Sequence, residues 1–176
     1  MSFGLGNSSS SPGVAASTAI DASTPYMAAS DGNLSLLQSS LTSLKLPITA
    51  RDENGYTLLQ AAASYNRLDV LQWLLSSCSP PADGIHLLNA VDNDGDSALH
   101  YAATSQVAQF LITSGIDHTL RNQKGQTALE SKQEELKELQ DDEEYEEDDE
   151  EAVALRDLIA YLSTVTSNPQ DSIQSR

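Results

Sequence analysis

The sequence predicts an all-α solenoid of about four helix-pair repeats linked by short β-hairpin-like turns, and three observations carry that reading. One phrase recurs. Asp52-Glu-Asn-Gly55-Tyr-Thr57, Asp92-Asn-Asp-Gly95-Asp-Ser97 and Asn122-Gln-Lys-Gly125-Gln-Thr127 each run from Asp or Asn to Gly three residues on, then to Ser or Thr two later. Small and aliphatic residues follow each phrase at helical spacing and fall into antiparallel pairs. The chain's 176 residues, 39% hydrophobic and 20% charged, describe one soluble domain with tails.

The phrase makes local physical sense. Asp or Asn can bond its own backbone in a tight turn, and Gly reaches the positive φ that other residues adopt only with strain. Thr57, Ser97 and Thr127 then stand where a hydroxyl accepts an orphan backbone N–H at a helix start, a cap worth about 1 kcal/mol. The glycines lie 40 and then 30 residues apart, against about 33 for repeats built of a turn and two helices. The excess falls in Cys78-Ser-Pro-Pro-Ala-Asp-Gly-Ile-His86, which reads as a Pro/Gly connection. The deficit falls between Ala103 and Val107, which reads as a trimmed link between two intact helices.

Taken in order, residues 1–23 are rich in Ser, Gly and Ala and uncharged before Asp21, too poor in apolar bulk to offset ordering entropy, and are expected to be disordered. Helices are expected at 25–31 with 34–43, at 56–65 with 68–77, and at 97–104 with 106–114. Ala28, Ala29, Ala62, Ala63, Ala102 and Ala103 let the first helices approach closely. Leu36, Leu37, Val70, Leu71, Leu74, Leu75, Phe110 and Leu111 fill the space between pairs. A capping unit pairs a helix over 127–139 with the helical spacing of Ala152, Leu155, Leu158, Ile159 and Leu162. Between them runs 141–151, ten of eleven positions acidic, a self-repelling block expected as a loop or frayed helix extension. Residues 164–176 read as a loose tail.

On these residues the chain resembles the ankyrin repeat family. The family pattern Asp-x-x-Gly-x-Thr-Pro-Leu-His-x-Ala-Ala, a short link and Val-x-x-Leu-Leu is matched by two central repeats, 52–91 and 92–121. Their second helices carry Val70-Leu71-Gln-Trp73-Leu74-Leu75 and Val107-Ala-Gln-Phe110-Leu111-Ile112. A degenerate first repeat, 24–51, and a capping repeat, 122–163, extend the likeness over 24–163. The family's Thr-Pro-Leu-His becomes Thr57-Leu-Leu-Gln60, Ser97-Ala-Leu-His100 and Thr127-Ala-Leu-Glu130. Without Pro in the first turn these helix starts are slightly looser. Ser131-Lys132-Gln133 stands where packed alanines are usual, which suits a cap with a polar outer face.

The residues carry no recognisable catalytic chemistry. Asp92-x-Asp94-Gly95 has the look of a calcium loop, but the first and twelfth positions in that register are Ala90 and Tyr101. Asp52-x-Asn54-Gly55 fails in the same way, with Ala50 and Ala61. His86, His100, His118 and the lone Cys78 lack zinc-ligand spacing. There is no phosphate-binding glycine loop and no nucleophile elbow. The expectation is a protein that is not an enzyme, with no catalytic residue, cofactor or metal. Nine Lys and Arg against 26 acids, a formal charge of -17, disfavour nucleic acid. No apolar run of about 20 residues and no basic leader occurs, so neither membrane spanning nor secretion is expected. One cysteine excludes an internal disulfide and fits the reducing cytoplasm or nucleus.

What remains is surface. The resemblance implies a partner-facing surface formed by the turn tips and the exposed side of each first helix. Carried over residue by residue, that names Glu53, Asn54, Tyr56, Ser64 and Tyr65, then Asn93, Asp94, Asp96 and Thr104, then Gln123, Lys124 and Gln126. Tyr56 and Tyr65 are the expected anchors, because Tyr combines large contact area with one hydrogen bond. The acids among them suit a basic or polar partner. The expected function is a monomeric adaptor that holds another protein on this face. The alternative is an escort for a basic client such as a ribosomal protein or histone, with the acidic run masking the client's charge.

Overall fold

The structure, a computed structural model, describes residues 19–78, 81–141 and 149–167. Most of the expected leading tail (1–18), the centre of the acidic run (142–148) and the end of the closing tail (168–176) lie outside the described residues. The elements are α1 (Thr24–Asp31), α2 (Leu34–Leu44), α3 (Leu58–Ser64), α4 (Leu68–Ser76), α5 (Pro81–Leu88), α6 (Ser105–Thr113), α7 (Ala128–Gln140) and α8 (Glu150–Ser167). Among the described residues no strand forms. Two isolated antiparallel bridges, Arg51 with Thr57 and Val91 with Ser97, close the hairpin-like turns.

Four of the helices, α2, α3, α6 and α7, start where a side chain satisfies an orphan amide. Thr57 accepts from Gln60 N while the Gln60 side chain accepts from Thr57 N, and Thr127 and Glu130 repeat that reciprocal pair at α7. Asn33 accepts from Leu36 N at α2, and Thr104 from Val107 N at α6. Within the first two repeats the chain turns from one helix to the next through a left-handed residue, Gly32 at φ +76° and Asn66 at φ +55°.

The helices pack as pairs and then pair upon pair: α1 on α2 and α3, α3 on α4, α7 on α8, and α8 on α6. Ala28, Ala29, Ala61, Ala62 and Ala63 are fully buried, so α1 and α3 meet through small side chains. Leu37, Leu71, Leu74, Leu111 and Leu158 are fully buried among them. Each such leucine contributes about 1.5–3 kcal/mol on leaving water. Leu36, Leu75 and Phe110 sit half-buried against the edge of the same core.

Three expectations about length are overturned. The helix expected at 97–104 is a single turn over 98–101: His100 N and Tyr101 N both donate to Ser97 O, at 3.0 and 3.4 Å, and Ala102 N donates to Leu99 O at 3.3 Å. Ala103 N leaves the local pattern and donates to Ala63 O of the preceding repeat, 3.2 Å away. The finger before this segment and α6 after it are both anchored by stacking, so the three missing residues come out of the helix between them, and the link survives. The excess residues, read as a loop, instead build α5. Pro81 opens that helix where no amide is needed, and Leu87 and Leu88, each 2% exposed, join the core. At the far end α8 runs on through Ser167, into the stretch read as a tail from 164.

Candidate partner-binding surface

Three fingers repeat one hydrogen-bonding scheme. Asn54 N and Tyr56 N donate to Asp52 Oδ1, Asp94 N and Asp96 N to Asp92 Oδ1, and Lys124 N and Gln126 N to Asn122 Oδ1, all between 2.8 and 3.1 Å. In each, the glycine N–H donates back to the carbonyl of the finger's first residue, and Gly55, Gly95 and Gly125 stand at φ +76°, +82° and +77°. These glycines therefore occupy equivalent places on successive fingers.

The fingers also bond to one another. Asn93 N donates to Asn54 O at 2.9 Å, and Gln123 N donates to Asp94 O at 2.8 Å. A Cβ on Gly55 would stand 2.8 Å from Asn93 Oδ1, and one on Gly95 would stand 3.0 Å from Asn122 Cα, whereas nothing lies within 4 Å of that point on Gly125. The first two glycines are required by close stacking as well as by φ; the last is required by φ alone.

A second ladder runs behind the first. Gln60 closes its own helix start and reaches on through Nε2 to Asp96 O, 2.6 Å away. His100 does the same one repeat later: Nδ1 accepts from Ser97 N at 3.2 Å, which leaves the proton on Nε2 to be donated to Gln126 O at 3.1 Å. Glu130, at the same position in the last repeat, has no further finger to reach and bonds Arg121 and the Thr127 amide instead. That amide, with the Thr127 hydroxyl, holds the Glu130 carboxyl below its usual range. The family-position histidine is thus a cross-link between repeats, 6% exposed.

Five of the expected contact residues, Tyr56, Ser64, Asp96, Thr104 and Gln126, are committed internally. The Tyr56 ring meets Tyr101 edge-on at 5.2 Å, and its hydroxyl bonds Ser64 Oγ at 3.1 Å. The Tyr101 hydroxyl donates to Asp92 Oδ2 at 2.8 Å. Burial pushes both phenols up from the ordinary tyrosine range, and the Asp92 carboxylate pushes Tyr101 further. Thr104 caps α6 and donates to Asn66 Oδ1, Asp96 accepts from Asn122 Nδ2, and Gln126 donates to Glu134. Glu53, Asn54, Asn93, Asp94, Gln123 and Lys124 are exposed at the finger tips, although the Asn93 amide spans back to Glu53 O and that of Gln123 to Asn93 O. Tyr65, 59% exposed at the end of α3, is free to present its ring.

The feature that the sequence reading missed lies beside them. Where the third repeat lacks its first helix, a groove of about 770 Å³ opens between Ser64, the 100–103 segment, α7 and the start of α8. Its floor includes Ala102 and Ala103, and its walls carry Glu135, Glu150 and Glu151. The deficit of three residues is the signal in the sequence, but spacing alone is met equally by a shortened link. Among the described residues no group of His, Cys, Asp and Glu is arranged to hold a metal, and no helix is long and apolar enough to cross a membrane.

Residues 25–122 match the family model described as ankyrin repeats, three copies. A curated ankyrin repeat-containing protein of Schizosaccharomyces pombe is 34% identical over 101 residues, covering 57% of this chain and 45% of that protein. The chain therefore spans less than half the length of that relative. Ankyrin repeats are protein–protein interaction modules, and the family is generally non-enzymatic. Stacked fingers of one hydrogen-bonding pattern, alanine-faced helix pairs and a family match over more than half the chain agree: this chain belongs to the ankyrin repeat family.

Proposed function

We propose that the protein is a monomeric adaptor that holds a partner protein against its finger tips and the exposed end of α3. The observation that carries this is Tyr65, a large ring 59% exposed at the end of α3, in a chain whose finger tips are held by repeated backbone hydrogen bonds. Rigid presentation lowers the ordering cost of binding. The partner is basic or polar, since Glu53 and Asp94 are exposed on the same tips. A cytoplasmic or nuclear place of action fits the lone cysteine.

Escort of a basic client is the second reading. It is favoured by the acidic run over 141–151 leading directly into the groove wall at Glu150 and Glu151. Capture from lysate by the intact chain, by Tyr65→Ala and by a chain lacking 142–148 separates the two. The adaptor reading expects capture to fall with Tyr65→Ala and to survive the deletion. Capture that disappears with the deletion and with added salt, and ignores Tyr65, would replace it with the escort reading.

A further inference from the structure

We infer that the groove in the third repeat is a seat for a Lys- or Arg-bearing helix of a partner, which takes the place of the helix this repeat lacks. The inference rests on the adaptor reading and names the partner's form. The two neighbouring repeats each put a helix on this face: α3, of seven residues, and α7, of thirteen. Between them the chain supplies one turn, 98–101, and the groove lies along it. The turn is three residues shorter than α3, so the chain missing here amounts to about one helical turn, roughly 5 Å.

Its chemistry selects the occupant. Ala103, just after the turn, and Ala154 on α8 line the groove with partly exposed small side chains, of the kind that let α1 approach α3, above the fully buried Ala102. Around it stand five carboxylates, Asp96, Glu135, Asp149, Glu150 and Glu151, against one ammonium, Lys132. Lys132 is already satisfied by Glu135 at 2.8 Å, so it does not offset the rest. An occupant with a small-residue face and flanking cations meets both the floor and the walls, whereas an acidic or bulky one meets neither.

The test titrates the isotope-labelled full chain with a 14-residue Ala-rich helical peptide carrying Lys at every fourth position. The controls are the same composition interrupted by two prolines, and the same helix with Glu for Lys. The expected result is that the Lys helix shifts the amides of Ala103, Ser131 and Ala154. The interrupted peptide should bind about tenfold more weakly, since it must forgo the helix it cannot form. Ala154→Trp, which fills the floor, should abolish binding with the thermal midpoint unchanged. Should that variant fail to fold, Ser131→Trp on the opposite wall serves the same purpose. Equal binding of the interrupted peptide, shifts confined to 141–148, or unchanged affinity in a folded groove-filling variant would each overturn the proposal. Failure of the adaptor reading would show separately, as cellular capture indifferent to Tyr65→Ala.

Discussion

The second and third repeats differ in one element and agree in nearly every other. Both have the Asx-anchored finger, both use a residue four after it to cross-link to the next finger, and both end in an amphipathic second helix, α4 or α6. Between the caps, Thr57 to Arg67 leaves room for α3, whereas Ser97 to Thr104 leaves room for a single turn. The lesson is that the finger and the second helix define the repeat, and the first helix is the part that can be spent. Stacking forces act on the finger through its ladder and on the second helix through its leucines; a first helix is kept only where its neighbours need its alanines.

The largest expected effect tests whether the open groove softens the third repeat. Leu74 and Leu111 occupy equivalent places in α4 and α6 and both are fully buried. Leu74→Ala should cost about 2–5 kcal/mol, and Leu111→Ala the lower part of that range, because a repeat with a single turn in place of a first helix has more room to collapse. Denaturant unfolding of both variants checks the order. A larger loss at Leu111 would show the third repeat to be the tighter one.

The glycines give the next contrast. Gly95→Ala forces a Cβ to within 3.0 Å of the Asn122 backbone at φ +82°, whereas Gly125→Ala meets open space at φ +77°. Both should be destabilised by the left-handed penalty of about 1–2 kcal/mol, and Gly95→Ala measurably more. Equal midpoints would mean that the fingers part without cost.

Exchanging the cross-links tests their equivalence more finely. His100→Gln places in the third repeat the residue that the second uses, and should be nearly neutral in thermal unfolding. His100→Ala leaves Ser97 and the Gln126 carbonyl without their partner and should cost about 1–3 kcal/mol.

The smallest effect is a pH dependence. Burial raises Tyr56, and burial with the Asp92 carboxylate raises Tyr101, above the ordinary value of 10.0. A folded-state pKa above the unfolded one gives stability that is complete below about pH 10 and lost as pH rises beyond it. Stability should therefore hold to that point and fall above it, and Tyr101→Phe should flatten the alkaline limb. Phenolate absorbance followed through the transition reports both.

Much of this was legible in the chain because it is written in local chemistry. Asp52, Asp92 and Asn122 each bond amides two and four residues on, Gly55, Gly95 and Gly125 each take a positive φ, and Thr57 and Thr127 each cap within four residues. Such interactions need no knowledge of distant packing. The Pro/Gly stretch misled because composition outweighed Leu87 and Leu88, whose burial depends on the core they reach.

By itself, then, the sequence determined the repeating unit, its order and its family. Only the tertiary structure decided where the missing residues were taken from, since both a shortened link and a lost helix satisfy the same spacing. The choice is made by Ala103 N bonding across to Ala63 O and by Thr104 capping α6, which hold the link at its full geometry. It likewise decided that Tyr56 is committed to Tyr101 and Ser64 while Tyr65 is left to solvent. Burial is a property of what packs against a residue, and neighbours 45 positions away along the chain are set by the stack.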